Sequence, residues 1–291
     1  MGTAKTHSKQ WSSELKDLIR GASGGFLFGI PLIYTMEVWW IGSYVGALRS
    51  LLALVFTFAI VFLLNQTCGF RRSGDVSAIE AVMDSVEALA IGIVCTGIVL
   101  VVLQEITLQT SLQEALGKLI YEGMPFTLGV ALANQFLSGE GRKTQPDSES
   151  SQKKSNHGEL NETLSDIGAT LIGSTIIAFN IAPTDEIPML ASAASGLWLL
   201  AVMALSLVIS YLIVFAAGLT DQKKRHQQQG IFQRPLSETI AAYLVSLIAA
   251  MMMLIFFQKL QFDDPWQLWL SHTILLGLPA AVGGAAGRLA I

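Results

Sequence analysis

Apolar runs of similar length recur along the whole chain, with short polar segments between them. A helix that crosses a hydrocarbon core of about 30 Å needs about 20 residues, and each run is close to that length. We therefore predict an all-α membrane protein with about eight transmembrane helices. The predicted helices cover residues 18–41, 47–66, 79–103, 117–138, 165–182, 188–218, 236–258 and 266–288.

The composition supports this class. Hydrophobic residues make up 52% of the 291 residues and charged residues 14%, and the mean hydropathy is +0.54, which excludes an ordinary water-soluble domain. The net charge of −4 does not favour nucleic acid as a partner. The first dozen residues lack the basic-then-apolar plan of a signal peptide, so we expect the first run to remain in the membrane.

Basic residues predict the orientation. With both termini in the cytoplasm, all 18 Lys and Arg except Arg49, Lys118 and Lys259 fall on the cytoplasmic side of the eight-helix arrangement. Acids are in excess on the other side, and an electronegative outer surface would concentrate cations. A plainer explanation is that acids are free to occur there because bases carry the topology signal.

The chain also carries a duplication. Residues 116–135 and 270–289 share a G-x-P-x-x-x-G core at an offset of 154, and Gly24 and Gly29 are spaced like Gly168 and Gly173 at an offset of 144. Because each unit has four helices, the copies would be parallel repeats. We predict two four-helix membrane repeats, residues 1–138 and 161–291, joined by a disordered cytoplasmic linker over residues 139–160.

Glycine and proline mark candidate kinks and helix contacts. A proline inside a helix frees an upstream carbonyl, so the two G-x-P turns could be equivalent kinks facing a central pathway, or could only fit the curvature of the bundle. Glycines four residues apart let helices approach closely, either within one subunit or between subunits of a homo-oligomer. The candidate kink or gating residues are Pro31, Gly123, Pro125, Gly277 and Pro279, and the candidate packing residues are Gly21, Gly25, Gly29, Gly283 and Gly287.

The same glycines raise a catalytic alternative. The segment Gly21–Gly25 matches G-x-S-x-G and resembles the serine-bearing helix of rhomboid intramembrane proteases. A nucleophilic Ser23 would need a base within hydrogen-bond reach. The predicted topology puts His272 near the opposite face of the membrane. We therefore expect a packing motif and no enzyme, and no nucleotide or cofactor fingerprint appears in a suitable context.

Acids inside or beside predicted helices are the candidate functional residues. Ionisable groups are costly in lipid, so they should face protein, water or a cation. On the third predicted helix, Asp84 and Glu87 lie deeper than Glu80, for which a headgroup position is the simpler interpretation. Our candidate ion-pathway residues are Glu37, Asp84, Glu87, Glu122 and Asn134.

Glu37 lies in the segment FGIPLIYTMEVWW. At 1.5 Å per residue it is about 28 Å beyond Leu18, so it should reach the outer interface, where Trp39 and Trp40 would be belt residues. The offset of 144 places Glu37 opposite Ile181, so its charge would not be duplicated. Either Glu37 guards an outer mouth or it is a plain interfacial acid.

This segment also carries a family resemblance. It resembles a helix-1 stretch, with Pro, Thr-Met-Glu and paired Trp, of an uncharacterised family of bacterial integral membrane proteins seen notably in cyanobacteria. The resemblance implies a prokaryotic plasma membrane and the same architecture, and it names no substrate.

Two functions fit these patterns. The first is an ion channel or transporter, with cations favoured, whose acids line the pathway. The second is a non-transporting scaffold or sensor that assembles partner proteins. We expect the lipid bilayer and inorganic cations as partners and no cofactor; the patterns do not identify a metal site.

Overall fold

The structure is a computed structural model that describes residues 3–68, 78–137, 156–216 and 235–290. Within these ranges the chain forms ten α-helices and no strand, which confirms the all-α class. The helices are α1 (Thr3–Ile33), α2 (Met36–Tyr44), α3 (Ala47–Cys68), α4 (Ala78–Val102), α5 (Leu112–Leu137), α6 (Asn156–Ile181), α7 (Glu186–Ala193), α8 (Gly196–Tyr211), α9 (Pro235–Phe256) and α10 (Trp266–Ala290).

Several of these helices can cross a membrane. Among the described residues, five helices are long and apolar enough, and the number rises to seven if each of two sharply bent pairs counts as one span. The five are α3, α4, α8, α9 and α10. Helix α5, which carries Glu114, Lys118 and Glu122, is not among them.

The first predicted helix, residues 18–41, is not continuous. Helix α1 ends at Ile33, and α2 starts after two non-helical residues at an angle of 92° to it. Thr35 is the extended N-cap residue of α2, with φ −128° and ψ 93°. The indole N–H of Trp39 donates to the Ile33 carbonyl at 2.7 Å, which satisfies one of the carbonyls that the end of α1 exposes.

A second break has the same form. Helices α6 and α7 are bent by 88°, and the predicted helix over residues 188–218 is interrupted at Ala194 and Ser195. Residues 139–155 of the predicted linker lie outside the described residues. Its last five residues, 156–160, belong to α6.

Glycines set the closest helix contacts. Gly24 of α1 lies against the carbonyl of Gly129 in α5, and Gly173 of α6 lies against the carbonyl of Gly283 in α10, so that neither leaves room for a Cβ. Helices that meet through bare backbone gain dispersion contacts that lipid tails cannot replace. Because Gly283 and Gly287 also face α6 of the same chain, these glycines no longer argue for a homo-oligomer.

Two loops have matching conformations. Gln104 after α4 and Gln258 after α9 are the positive-φ non-glycine residues of the described chain, with φ 63° and 58°. The residue that follows each of them donates its N–H five residues back, from Glu105 to Leu100 at 2.9 Å and from Lys259 to Leu254 at 2.8 Å. Both helices therefore end in the same left-handed cap.

The core joins the beginning and the end of the chain. One buried cluster includes Phe26, Ile30 and Ile33 of α1 together with Leu275 and Leu278 of α10. Within it, the hydroxyl of Tyr34 donates to the carbonyl of Leu275 at 2.7 Å. The break after α1 is thus held against α10.

Candidate functional site at the break in the first helix

A charged stripe runs along the start of α5. Glu114, Lys118 and Glu122 are four residues apart and share one face of the helix. The Lys118 ammonium is buried and lies 3.1 Å from Oε2 of Glu105 and 3.1 Å from Oε1 of Glu114. It also donates to the Glu105 carbonyl at 2.9 Å. Two carboxylates thus surround one buried cation.

Helix α2 covers this stripe. Gly42 lies directly against the backbone of Lys118, where a side chain would not fit. The Ser43 hydroxyl lies 2.8 Å from the Trp39 carbonyl and 3.4 Å from Oε1 of Glu114. The bend after α1 therefore holds α2 over the charged start of α5.

Glu122 lies one helical turn further along α5 than Lys118. It is 1% exposed, and its Oε1 has no hydrogen-bond partner within the part of the chain that the structure describes. Burying an ionised carboxylate without a partner is costly, so this position calls for a proton, a water molecule or a cation.

The end of α1 is level with Glu122. Gly29 of α1 lies against the ring of Phe126 in α5, and the two helices run antiparallel. One turn further along α1 is Ile33, and one turn back along α5 is Glu122. The last carbonyls of a helix lack intrahelical donors and carry the negative end of the helix dipole. Glu122 is thus level with the negative end of the α1 dipole.

A second buried acid lies at the other break. Glu186, in the first turn of α7, is 5% exposed; its Oε1 accepts the N–H of Met36 at 3.4 Å, and its Oε2 has no partner among the described residues. Met36 is the first residue of α2, so the carboxylate lies at the N-termini of two helices, where negative charge is favourable.

The contacts also change how the halves are aligned. Since Gly24 meets Gly129 while Gly173 meets Gly283, the glycine that matches Gly24 is Gly173, at an offset of 149 instead of 144. Glu37 then matches Glu186, and not Ile181. Both breaks carry a Thr-x-Glu sequence, at residues 35–37 and 184–186, whereas the offset of 144 had placed Ile181 opposite Glu37.

The other predicted pathway residues do not gather around Glu122. Glu37 is exposed on α2, Asp84 is buried in α4, and Glu87 is half-buried one turn further on. Gly123 faces Thr96 of α4, so Asp84 lies about 18 Å from the level of Glu122 along the helix axis. Asn134 lies in α5, and its side chain is outside the described set.

The kink and belt residues are placed as follows. Pro31, Pro125 and Pro279 lie inside α1, α5 and α10, and Gly277 faces Leu247 of α9. Trp40 is 53% exposed, as a belt residue should be, whereas Trp39 is 1% exposed and packs inside the molecule. Trp39 therefore differs from the expected belt residue because its indole caps α1.

The Ser23 hydroxyl is fully buried and donates to the Ile19 carbonyl at 2.7 Å, next to the packing glycines of α1.

The second half carries different polar contacts. Arg288 of α10 is paired with Glu238 of α9, and its guanidinium carbon lies 5.7 Å from the centre of the Phe215 ring. Lys259 lies 2.8 Å from Asp185, and this ammonium lowers the pKa of the Asp185 carboxyl through a hydrogen bond and its positive charge. At the position that corresponds to Glu122, at an offset of 154, the second half has Leu276, which is fully buried.

Several members of this site were not among the predicted residues. They are Tyr34, Glu105, Glu114, Lys118 and Glu186. The spacing of four between Glu114, Lys118 and Glu122 was a visible signal of one helical stripe. So was the repeated Thr-x-Glu at residues 35–37 and 184–186. Tyr34 had no such signal, because its partner is 241 residues away.

No group of three or more His, Cys, Asp or Glu side chains that could hold a metal ion occurs in the described ranges.

The fold and its apolar helices define an integral, multi-pass membrane protein. The family model described as "Putative integral membrane protein (DUF2391)" matches residues 17–291, and the chain belongs to this family. No curated protein and no solved structure matches the chain.

Proposed function

We propose that the protein is a cation transporter or channel of a prokaryotic plasma membrane whose ion-handling residues lie in the first half of the chain. The observation that carries the proposal is the buried Glu122, whose Oε1 has no partner among the described residues. Ionisable groups inside a membrane protein are costly and commonly mark ion or proton pathways. The corresponding Leu276 is apolar, which supports a scaffold role for the second half.

We further propose that the chain is a tandem repeat of eight spans with both termini in the cytoplasm. The paired glycine contacts, the matching caps at Gln104 and Gln258, and the two breaks support the repeat. Helix α5 is the eighth span in this proposal, because it packs on α1 as α10 packs on α6. Four spans per unit make the copies parallel, and the basic residues support the orientation.

Ion flux in proteoliposomes tests the function. We expect Glu122→Gln, which keeps the shape and removes the charge, to abolish cation flux that the native protein supports. Glu80→Gln on the exposed start of α4 is the matched control and should leave flux unchanged. Asp84→Asn and Glu87→Gln test whether the other end of the pathway uses these acids.

Two results would count against the proposal. Native flux in Glu122→Gln would remove this residue from the pathway. A native protein that moves none of H⁺, Li⁺, Na⁺, K⁺ or Mg²⁺ would favour the non-transporting scaffold or sensor, which should then retain a stoichiometric partner in mild detergent.

A further inference from the structure

We infer that the end of α1 and the Gly-x-Pro turn of α5 together form a binding site for one alkali metal ion. Its charged ligand is the Glu122 carboxylate, and its neutral ligands are the Tyr121 carbonyl and carbonyls from the last turn of α1. This inference rests on the proposed function in naming the ion class, and it is tested by binding alone.

The first step concerns the carbonyls that the two prolines release. Pro125 cannot donate to the carbonyl four residues back, which belongs to Tyr121, and Pro279 likewise frees the carbonyl of Leu275. The Leu275 carbonyl has a different donor, because the hydroxyl of Tyr34 donates to it. The residue that corresponds to Tyr34 at an offset of 149 is Pro183, which has no hydroxyl.

The second step concerns what stands beside the released carbonyl. Tyr121 is followed by the buried acid Glu122, whereas Leu275 is followed by Leu276. The Leu275 carbonyl, which accepts the Tyr34 hydroxyl, is thus followed by an apolar side chain. Among the described residues, no side chain donates to the Tyr121 carbonyl as Tyr34 does to Leu275. The next residue is Glu122, whose Oε1 lacks a hydrogen-bond partner within the described ranges.

The third step concerns α1. The helix breaks at Tyr34, which is level with Glu122. Among the carbonyls of its last turn, that of Ile33 accepts a hydrogen bond from the indole of Trp39. The C-terminal end of a broken helix presents carbonyl oxygens and the negative end of its dipole, which suits a cation. Rings of carbonyl oxygens replace the hydration shell of alkali ions in other membrane proteins.

The ligand set, and not the net charge, points to a monovalent cation. Glu105 and Glu114 already pair with the single ammonium of Lys118, so Glu122 is the carboxylate of this group that is left to bind an ion. Divalent ions gather several carboxylates around themselves, whereas this position offers one carboxylate and neutral carbonyls. Glu186 does not serve the same role, because it lies at two helix N-termini, where an anion and not a cation is stabilised.

Thermal unfolding of the full chain in detergent tests the site. The melting temperature is measured in LiCl, NaCl and KCl series at constant ionic strength, with choline chloride as the replacement salt. We expect it to rise with the logarithm of the concentration of at least one alkali ion, because an ion that binds only the folded state stabilises it. Glu122→Gln should lose this rise, and the exposed matched control Glu80→Gln should keep it.

Glu122→Asp keeps the test decisive if the neutral variant does not fold. It retains the charge and shortens the reach, so the rise should persist and its midpoint should move to a higher ion concentration. A Glu122→Gln protein that responds like the native one would overturn the site. So would a native protein whose melting temperature follows pH but no alkali ion, a result that leaves proton transport standing. Alkali-ion binding by a protein that shows no ion flux would overturn the transport proposal and support the binding site.

Discussion

Tyr34 shows how one hydroxyl can support a proline-containing helix. It is 4% exposed and donates to Leu275, the carbonyl that Pro279 leaves without a backbone donor. A buried carbonyl without a partner is costly, especially where no water is available. Tyr34 therefore links the break after α1 to the Gly-x-Pro turn of α10.

Replacing Tyr34 by Phe should expose this cost. We expect Tyr34→Phe to lower the free energy of unfolding by about 1–3 kcal/mol, because Leu275 loses its donor while the ring still packs. Denaturation in mixed micelles measures the change. The matched control is Tyr44→Phe, since Tyr44 is 71% exposed, and it should stay within about 0.5 kcal/mol of the native protein. Equal effects of the two substitutions would contradict the role of Tyr34.

Sequence patterns identified Glu122 as a candidate but misjudged some of its neighbours. Its position beside Pro125 was visible in the sequence, whereas the ion pairs of Lys118 with Glu105 and Glu114 depend on the fold of the loop after α4. Trp39 was expected in an aromatic belt because composition cannot tell an indole that faces lipid from one that caps a helix.

At the scale of elements, the short helices α2 and α7 are the main feature. Each follows a longer helix at nearly a right angle, 92° in one case and 88° in the other. Hydropathy alone merges such a pair into one span, because both parts are apolar. The breaks place Met36 and Glu186 in contact at the N-termini of α2 and α7.

The glycine contacts give a prediction at this scale. Gly24→Ala and Gly173→Ala should each destabilise the protein by about 1–3 kcal/mol, because the added Cβ meets a backbone carbonyl of the partner helix that cannot move aside. Gly168→Ala in α6 is the matched control. Its Cβ would have nothing within 4 Å, and the change should be neutral or stabilising by up to about 1 kcal/mol.

These variants are compared by thermal unfolding in detergent. Similar melting temperatures for Gly24→Ala and Gly168→Ala would show that α1 and α5 do not meet through bare backbone. If only Gly24→Ala were destabilised, the contact between α6 and α10 would be looser than its counterpart.

At the scale of the whole molecule, the two halves share one core. The buried cluster that contains Ile33 also contains Leu275, and Tyr34 and Met36 both bind groups of the second half. A half on its own would leave these polar groups and the apolar surface around them without partners.

Cutting the chain tests this dependence. We expect fragments 1–146 and 147–291, expressed together, to copurify as one complex, because the shared core and not the connecting segment holds the halves. Purification through a tag on one fragment measures the yield of the other. Fragments that purify separately in good yield would show that each half folds alone, and would contradict a shared core.

The sequence by itself determined the helical class, the integral membrane character and the position of five candidate spans, because apolar length acts locally along the chain. It also revealed the duplicated Gly-x-Pro turns. The tertiary structure decided the breaks at Tyr34 and Thr35, the contact of Met36 with Glu186, and the group of charges around Lys118. These features depend on contacts between residues far apart in the chain, such as Gly24 with Gly129 and Tyr34 with Leu275, and hydropathy carries no information about such pairs.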